Sequence, residues 1–220
     1  MASVNQIPLM PDGTYHIYNR ANANDLLFLT DDNYRYFLKK YQDYINSLAS
    51  TFCYCLMPNH FHFLIKIKDE QQIEEWMQFK MKKQKSKTQQ EFETLEGLDK
   101  AHFISNYISQ QWSHLFNGYT QAFNKKYNRK GSLFMRSFKR KQVQDENYLK
   151  KLVHYIHYNP VEAGLASKPE EWNFSSYKTI ASNKDTKLLK DEVITWFNDL
   201  ENFKYCHQKP PHLTGINYLG

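Results

Sequence analysis

Two histidines placed two residues apart are the first residues in this sequence that could do chemistry. His60 and His62 fall in a run of apolar and aromatic residues typical of a β-strand, in which successive side chains point to opposite faces. Both imidazoles therefore project from one face, and Phe61 and Phe63 project from the other. Two imidazoles on one face can bind a single metal ion. The spacing alone is a weak signal, because it supplies no third ligand.

A second candidate lies on the amphipathic helix that the pattern predicts from Asp145 onwards. At about 100° per residue, Tyr155 and Asn159 lie together on one flank of the apolar stripe, and Tyr158 lies opposite it. An amide oxygen four residues from a phenol could ligate a metal while the phenol attacks a group bound there. The alternative is structural: Tyr155 borders the core and Asn159 caps the helix. The apolar stripe consists of Leu149, Leu152, Val153 and Ile156.

Hydrophobic periodicity predicts the elements that must position these residues. The helix from Asp145 is predicted to end near Tyr158, because Pro160 disfavours the α conformation at the residue before it. Pro58 and Asn59 separate two β-rich runs, which indicates a hairpin. The order of elements predicts an α+β fold with a ferredoxin-like antiparallel sheet and helices packed on one face. Strands are predicted near 14–19, 52–57, 61–68 and 137–144, and helices from 30, from 70, over 104–123 and over 145–158.

Length and composition indicate how these elements are organised into domains. The chain has 220 residues, a formal net charge of +6, 41% hydrophobic and 16% aromatic residues, and it is therefore expected to fold. We expect one domain over residues 1–180, with a polar insertion at 82–100, and a C-terminal helical extension over 181–200 with an irregular tail at 201–220. No long apolar run and no signal-peptide pattern occurs, which favours a cytoplasmic protein without membrane contact.

Positive charge is concentrated between residues 121 and 144, where there are eight basic residues and no acidic one. Aromatic residues are interleaved with these charges, as in surfaces that neutralise phosphates and stack bases. A second run of lysines at 80–87 is equally well explained as a solvated helix face. The eight basic residues are Lys125, Lys126, Arg129, Lys130, Arg136, Lys139, Arg140 and Lys141.

Several spaced motifs over about residues 15–180 resemble those of REP-associated tyrosine transposases, which are single-tyrosine HUH transposases of the insertion-sequence transposase-like superfamily. The segment MPNHFHFLI resembles their histidine-hydrophobe-histidine (HUH) motif, and YLKKLVHYIHYNPVEAGL resembles their nucleophile helix. These two segments lie at 57–65 and 148–165, and further similarities occur at YHIYNR (15–20), GSLF (131–134), Trp172 and SSY (175–177).

The resemblance implies an HUH endonuclease fold and a role for each matching residue. His60 and His62 would be metal ligands, Tyr155 the nucleophile, and Asn159 the third ligand, where better-known insertion-sequence relatives have Gln. The cofactor would be Mg²⁺ or Mn²⁺, which suit a site of nitrogen and oxygen ligands. Arg20, in the YHIYNR segment, joins the eight basic residues as a candidate DNA contact.

The activity implied by the resemblance is cleavage and rejoining of single-stranded DNA through a covalent 5′-phosphotyrosine intermediate. The substrate would carry hairpins, as at the ends of repeats or mobile elements. The resemblance leaves open whether the protein is a monomer or a homodimer.

Two alternatives stay open at this point. The first is a DNA-binding relative that has lost catalysis. The second is a zinc-stabilised nucleic-acid-binding protein with Cys53, Cys55, His60 and His62 as ligands, which requires that Pro58 and Asn59 form a two-residue turn. Without a metal, the cysteines would be small core residues or free thiols.

Overall fold

The structure is a computed structural model, which describes residues 7–84 and 95–212. In these two ranges there are four strands and seven helices. The strands are β1 (Thr14–Arg20), β2 (Ala49–Met57), β3 (His60–Ile67) and β4 (Lys139–Gln142). The helices are α1 (Asp31–Tyr44), α2 (Glu70–Gln84), α3 (Gly97–Lys126), α4 (Glu146–Glu162), α5 (Tyr177–Ile180), α6 (Lys190–Trp196) and α7 (Leu200–His207).

The predicted insertion at 82–100 lies in part outside the described residues. Residues 85–94 are not described, and the rest of that range belongs to the end of α2 and the start of α3. Helix α7 falls within the stretch where an irregular tail is predicted, and residues 213–220 of that tail are likewise not described. In the described part of the chain, no helix is both long and apolar enough to cross a bilayer.

The strands form one antiparallel sheet in the order β2-β3-β1-β4, which confirms the predicted α+β fold class. Met57 pairs with His60, so Pro58 and Asn59 form the two-residue turn of the β2-β3 hairpin. The register then places Tyr18 opposite His62. The free edge of β2 is covered by later segments of the chain, whereas β4 forms the other edge.

Helices cover both faces of this sheet, and not one face as the sequence predicts. The aromatic face, formed by Tyr15, Ile17, Phe61 and Phe63, packs in one core with α1 and α3. The other face, which we call the histidine face, is formed by His16, Tyr18, His60, His62 and Leu64, and helix α4 covers it. The physical reason is that β3 is buried along almost its whole length on both sides, so that each face needs its own helical layer.

Helix α4 also differs from the prediction, because it continues through Pro160 to Glu162. Its N-cap is Asp145, whose carboxylate accepts the Tyr148 N–H at 2.7 Å. Proline lacks the N–H that would bond to the carbonyl four residues earlier, which costs stability inside a helix. Here the segment is buried against the rest of the protein, and this packing outweighs the lost hydrogen bond. Asn159 is therefore a residue within the helix and not its cap.

The C-terminal helices α6 and α7 belong to the same core as α4 and β2. Val193, Phe197 and Phe203 are fully buried there. The segment before α6 also forms a bridge between Leu188 and Thr51 of β2. These helices thus help to hold α4 against the sheet.

A chain of hydrogen bonds between neutral side chains runs through this core. Nδ1 of His207 lies 2.7 Å from the carbonyl oxygen of Phe203, so this nitrogen must donate. Nε2 of His207 then accepts from Nδ1 of His157 at 3.1 Å. Nε2 of His157 in turn accepts from the hydroxyl of Ser176 at 2.8 Å, and Ser176 accepts the N–H of Tyr54. With both rings neutral, every ring nitrogen of the two histidines has a partner.

Burial lowers the pKa values of the histidines in this region. The pKa of His207 falls to about 3, first because of burial and second because His154 lies nearby. The pKa of His154 falls to about 4, again mainly through burial, and that of His157 falls well below its usual range. Charging these rings would place positive charge in a buried region, which the loss of hydration opposes.

We predict that the free energy of unfolding decreases as the pH is lowered from about 6.5 to about 3. In this window the unfolded chain binds protons at these histidines and the folded chain does not, so stability is complete above the window and is lost below it. Each group contributes a slope of up to about 1.4 kcal/mol per pH unit. Urea unfolding between pH 8 and pH 4 measures this profile.

His207→Gln should lower stability at pH 8 and flatten the profile, because glutamine does not titrate. His102→Gln, at an exposed position on α3, serves as the control. A His207→Gln profile as steep as that of the wild type would contradict the assignment.

Arg129 fixes the loop that follows α3. Its guanidinium forms an ion pair with Asp25 and donates to the side chain of Asn124 at 3.1 Å. It also donates to the carbonyl oxygens of Gly131 and Ser132, at 3.3 Å and 2.9 Å. One side chain thus connects the end of α3, the turn and the segment after β1.

We predict that Arg129→Ala lowers the free energy of unfolding by about 1–3 kcal/mol, because four acceptors, two of them partly buried, lose their donor together. The neighbouring Lys130 is exposed, and Lys130→Ala is the matched control, with an expected change within about 0.5 kcal/mol. Urea denaturation at pH 7 measures both. Equal effects of the two substitutions would show that Arg129 has no special structural role.

Candidate functional site

The β2-β3 turn positions the two histidines of the HUH-like motif. The carbonyl oxygen of Pro58 accepts the N–H groups of Leu27 and Phe28, at 2.7 Å and 3.1 Å, and that of Asn59 accepts the N–H of Ala21 at 2.8 Å. The turn is therefore held by the loop that follows β1. As a result, β3 begins at a fixed point next to the end of β1.

His60 presents one ring nitrogen to the site. Its Nδ1 lies 2.7 Å from Oδ1 of Asn59, an atom that can only accept, so Nδ1 carries the proton. The lone pair is then on Nε2, which lies 3.5 Å from Oδ1 of Asn159. The amide of Asn159 is oriented by its Nδ2, which donates to the carbonyl oxygen of Tyr155 at 3.2 Å. Two lone-pair atoms from different elements thus face each other, an arrangement that a cation would stabilise.

His62 is fully buried, and its Nε2 has no hydrogen-bond partner among the described residues. Its Nδ1 lies 2.9 Å from Nε2 of His16, which is also buried. A buried polar atom without a partner is costly, and a metal ion is one of the few groups that would satisfy an imidazole nitrogen here. The donor set therefore fits a metal with Nε2 of His60, Nε2 of His62 and Oδ1 of Asn159 as ligands. Nitrogen and oxygen ligands suit Mg²⁺ or Mn²⁺.

All three histidines on this face are in the neutral form that a metal requires. Burial, together with the charge of the nearby Lys141, lowers the pKa of His16 to about 3. Burial is also the main cause of the lowered pKa values of His60 and His62. The His60 and His62 ring centroids are 5.1 Å apart, with the planes nearly perpendicular.

Tyr155 lies beside these histidines, with its ring centroid 5.5 Å from that of His62. Tyr155 is 5% exposed, and like Tyr148 it lies near the phenol of Tyr18. Burial raises the pKa of Tyr18 to about 12, and the nearby Tyr148 and Tyr155 contribute. Lys141 donates to the hydroxyl of Tyr148 at 2.9 Å, so a cation adjoins this group.

The structure brings some of the predicted DNA-binding residues to this site and separates others from it. Lys139 and Lys141 pair with Tyr18 and His16 across the sheet, and so lie on the histidine face. A small depression beside His60 and His62 is lined by Arg20, Arg136 and Lys139.

The remaining basic residues lie elsewhere. Arg140 points to the opposite face of β4 and donates to Ser109 on α3 at 2.6 Å. Arg129 holds the loop described above. Three others lie at the end of α3 and in the loop that follows it, and one of them forms a surface ion pair with Asp32 at 3.9 Å. These three are Lys125, Lys126 (the residue paired with Asp32) and Lys130.

The zinc alternative has the register that it requires but not the ligand geometry. Cys55 pairs with His62, so the cysteines and histidines share a face. Nevertheless, within residues 7–84 and 95–212 no group of three or more His, Cys, Asp or Glu side chains is arranged to hold a metal. Burial raises the pKa values of both thiols, Cys53 and Cys55, which opposes the thiolate form that binds zinc. The Cys55 thiol instead lies 3.8 Å from the sulfur of Met57.

Sequence reasoning missed His16, which contacts the site directly. The available signal was the alternation of His16 and Tyr18 in β1, which has the same spacing as His60 and His62. His16 and His62 are 46 residues apart in the sequence. Only the pairing of β1 with β3 shows that His16 and Tyr18 lie on the same face of the sheet as His60 and His62.

Comparison with known proteins gives a likeness of fold. No protein-family model matches the chain, and no curated protein matches it. A solved structure of a REP-associated tyrosine transposase bound to a REP hairpin is similar, with a TM-score of 0.54, 14% sequence identity, and coverage of 83% of this chain and 87% of that one. The chain therefore has the fold of that transposase, with a four-stranded antiparallel sheet between helices.

Proposed function

We propose that this protein is a metal-dependent transposase or endonuclease of the HUH class, which cleaves and rejoins single-stranded DNA through a covalent 5′-phosphotyrosine intermediate. The observation that carries the proposal is the unpartnered Nε2 of buried His62, beside the facing pair formed by His60 and Asn159 and next to the Tyr155 ring. The fold shared with a tyrosine transposase supports it.

His60, His62 and Asn159 would hold Mg²⁺ or Mn²⁺ in this proposal. The bound ion would withdraw charge from a phosphate oxygen and make the phosphorus more open to attack. Asn159 supplies a carboxamide oxygen, and its orientation is already set by the backbone of α4. Asn159 would therefore need little rearrangement to accept an ion.

Tyr155 would act as the nucleophile. Its phenol oxygen forms a bond to phosphorus while the bond from phosphorus to the 3′ oxygen breaks, and the phenolic proton leaves to solvent as the 3′ oxygen takes up a proton. The products are a 5′-phosphotyrosine and a free 3′-OH. Because the phosphoester is retained, a 3′-OH can attack it in reverse and rejoin strands without a nucleotide cofactor.

Basic residues around the site would hold the DNA backbone. Arg20, Arg136 and Lys139 border the depression at the histidines, and Lys141 lies on the same face. Four cations near one phosphate site favour a polyanion, and the solved relative is bound to a DNA hairpin. We therefore propose single-stranded DNA with hairpins as the partner.

Residues 1–180 would form the catalytic domain in this proposal, with 181–220 as an extension whose helices brace α4. A cytoplasmic location stays a prediction, and the protein is expected to be a monomer or a homodimer.

We predict that Tyr155→Phe abolishes a covalent protein–DNA adduct, because phenylalanine keeps the ring and lacks the attacking oxygen. The assay incubates the protein with a single-stranded oligonucleotide that contains a hairpin, with Mn²⁺, and detects the adduct on a denaturing gel. Binding measured by fluorescence anisotropy should change less than about threefold, since only one hydroxyl is removed.

Tyr158→Phe is the matched control, three residues further along the same helix, and it should retain the adduct. An adduct in the Tyr155→Phe variant would refute the nucleophile assignment. Binding without any adduct in the wild type would favour the inactive DNA-binding relative instead.

His16 would act as a positioning residue for His62. If Nε2 of His62 ligates a metal, its Nδ1 must carry the proton and donate to Nε2 of His16 at 2.9 Å. His16 then fixes both the tautomer and the ring orientation of His62, as the outer partners of metal-bound histidines do.

We predict that His16→Phe weakens Mn²⁺ binding about 10–100-fold, because the Nδ1–H of His62 loses its acceptor. His16→Gln, which keeps an acceptor, should recover part of this loss. Calorimetric titration with Mn²⁺ measures affinity, and ¹⁵N NMR of the metal-free protein identifies the His62 tautomer. Unchanged affinity in His16→Phe, or a proton on Nε2 of His62 in the wild type, would overturn this role.

A further inference from the structure

A groove of about 750 Å³ lies between α3 and the edge strand β4, on the side of β4 away from the histidine face. Of the residues that the structure describes, aromatic rings, amides, hydroxyls and one guanidinium line it, and no acidic side chain does. The proposed catalytic step uses none of these groups. The aromatic residues are Phe103, Tyr107 and Phe138.

Arg140 forms a fixed platform in this groove. Its guanidinium carbon lies 5.2 Å from the centre of the Phe138 ring, and its Nη1 donates to the hydroxyl of Ser109 at 2.6 Å. The Ser109 hydroxyl donates in turn to the carbonyl oxygen of Ser105 at 2.9 Å, which leaves its lone pair for Arg140. Guanidinium planes and aromatic rings held in this way are surfaces on which unpaired bases stack.

Two amides stand on the same wall. Asn106 and Gln110 are four residues apart on α3, so they are neighbours on one side of the helix, and both are exposed in the groove. Each carboxamide presents a donor NH2 group beside an acceptor oxygen in one plane, which matches the adjacent donor and acceptor of a base edge. Phosphates, by contrast, present acceptors only.

The edge strand connects this groove to the proposed catalytic site. Lys139 and Lys141 lie on the histidine face, and Arg140, between them, lies on the groove face. A nucleic acid strand that leaves the catalytic site across β4 therefore passes over three consecutive basic residues and reaches the groove. This charge favours a polyanion over an acidic or neutral peptide of similar size.

We infer that this groove binds bases of single-stranded DNA, and that Asn106 and Gln110 discriminate among them. The inference rests on the proposed function, because it takes its ligand from it. It adds a specificity-determining surface that is separate from the histidines and Tyr155.

The test measures binding of fluorescein-labelled oligo(dA), oligo(dC) and oligo(dT) 12-mers by anisotropy. We expect the tightest and weakest affinities of the wild type to differ by about tenfold or more. The double variant Asn106→Ala/Gln110→Ala should reduce this spread to about threefold or less, since the base-reading amides are gone while the basic residues remain. The matched control is Asn117→Ala/Gln121→Ala, an exposed pair with the same spacing further along α3, which should keep the full spread.

Retention of the full spread in the Asn106/Gln110 variant would overturn the inference, as would equal wild-type affinities for the three oligonucleotides. A peptide-binding groove would give the first of these results. If the double variant melts at a lower temperature than the wild type, the single substitutions are compared in its place.

The adduct assay distinguishes this outcome from failure of the proposed function. The Asn106→Ala/Gln110→Ala variant keeps His60, His62 and Tyr155, and it should still form the adduct on the hairpin oligonucleotide. Loss of base discrimination with an intact adduct supports both proposals. An intact adduct with unchanged discrimination leaves the proposed function standing and removes the groove from it.

Discussion

The pairing of β1 with β3 is the constraint on which the rest of the site depends. It places His16 and Tyr18 beside His62 and so creates a polar patch in a sheet that is buried on both sides. Burying imidazoles without partners is costly, and each must therefore be satisfied by a neighbour or by a ligand. Helix α4 closes this patch from above, and the C-terminal helices hold α4 in place through the core around Phe203. The chemistry of the site therefore depends on both the strand register and the packing of the helices.

Much of the fold could be predicted from the sequence, because it depends on local patterns. Alternation in β3, the turn at Pro58 and Asn59, and the amphipathic period of α3 and α4 are all visible over short windows. The second helical layer could not be predicted in this way. Whether both faces of a strand are covered depends on which distant helices reach it, and the sequence around β3 contains no such information.

The candidate site also has features that could be predicted from the sequence and features that could not. His60, His62, Tyr155 and Asn159 could be named as candidates from spacing and resemblance, and the structure places them close together. The continuation of α4 past Pro160 could not be predicted, because the rule for residues before proline weighs local sterics and not burial. The basic stretch could not be divided either: Arg140 and Lys141 are adjacent, yet strand alternation sends them to opposite faces with different partners.

The edge strand β4 has a consequence for the solution behaviour of the protein. The chain itself covers the free edge of β2, through the bridges of Cys55 with Ser175 and Thr51 with Leu188, whereas β4 ends the sheet on the other side. An uncovered edge invites strands of other molecules to add to the sheet. Four residues with three positive charges are too short and too charged to pair with a second copy of themselves. The charges to which we assign DNA binding in the proposed function would therefore also disfavour self-association of the sheet, and a chain that lost them would be more prone to aggregate.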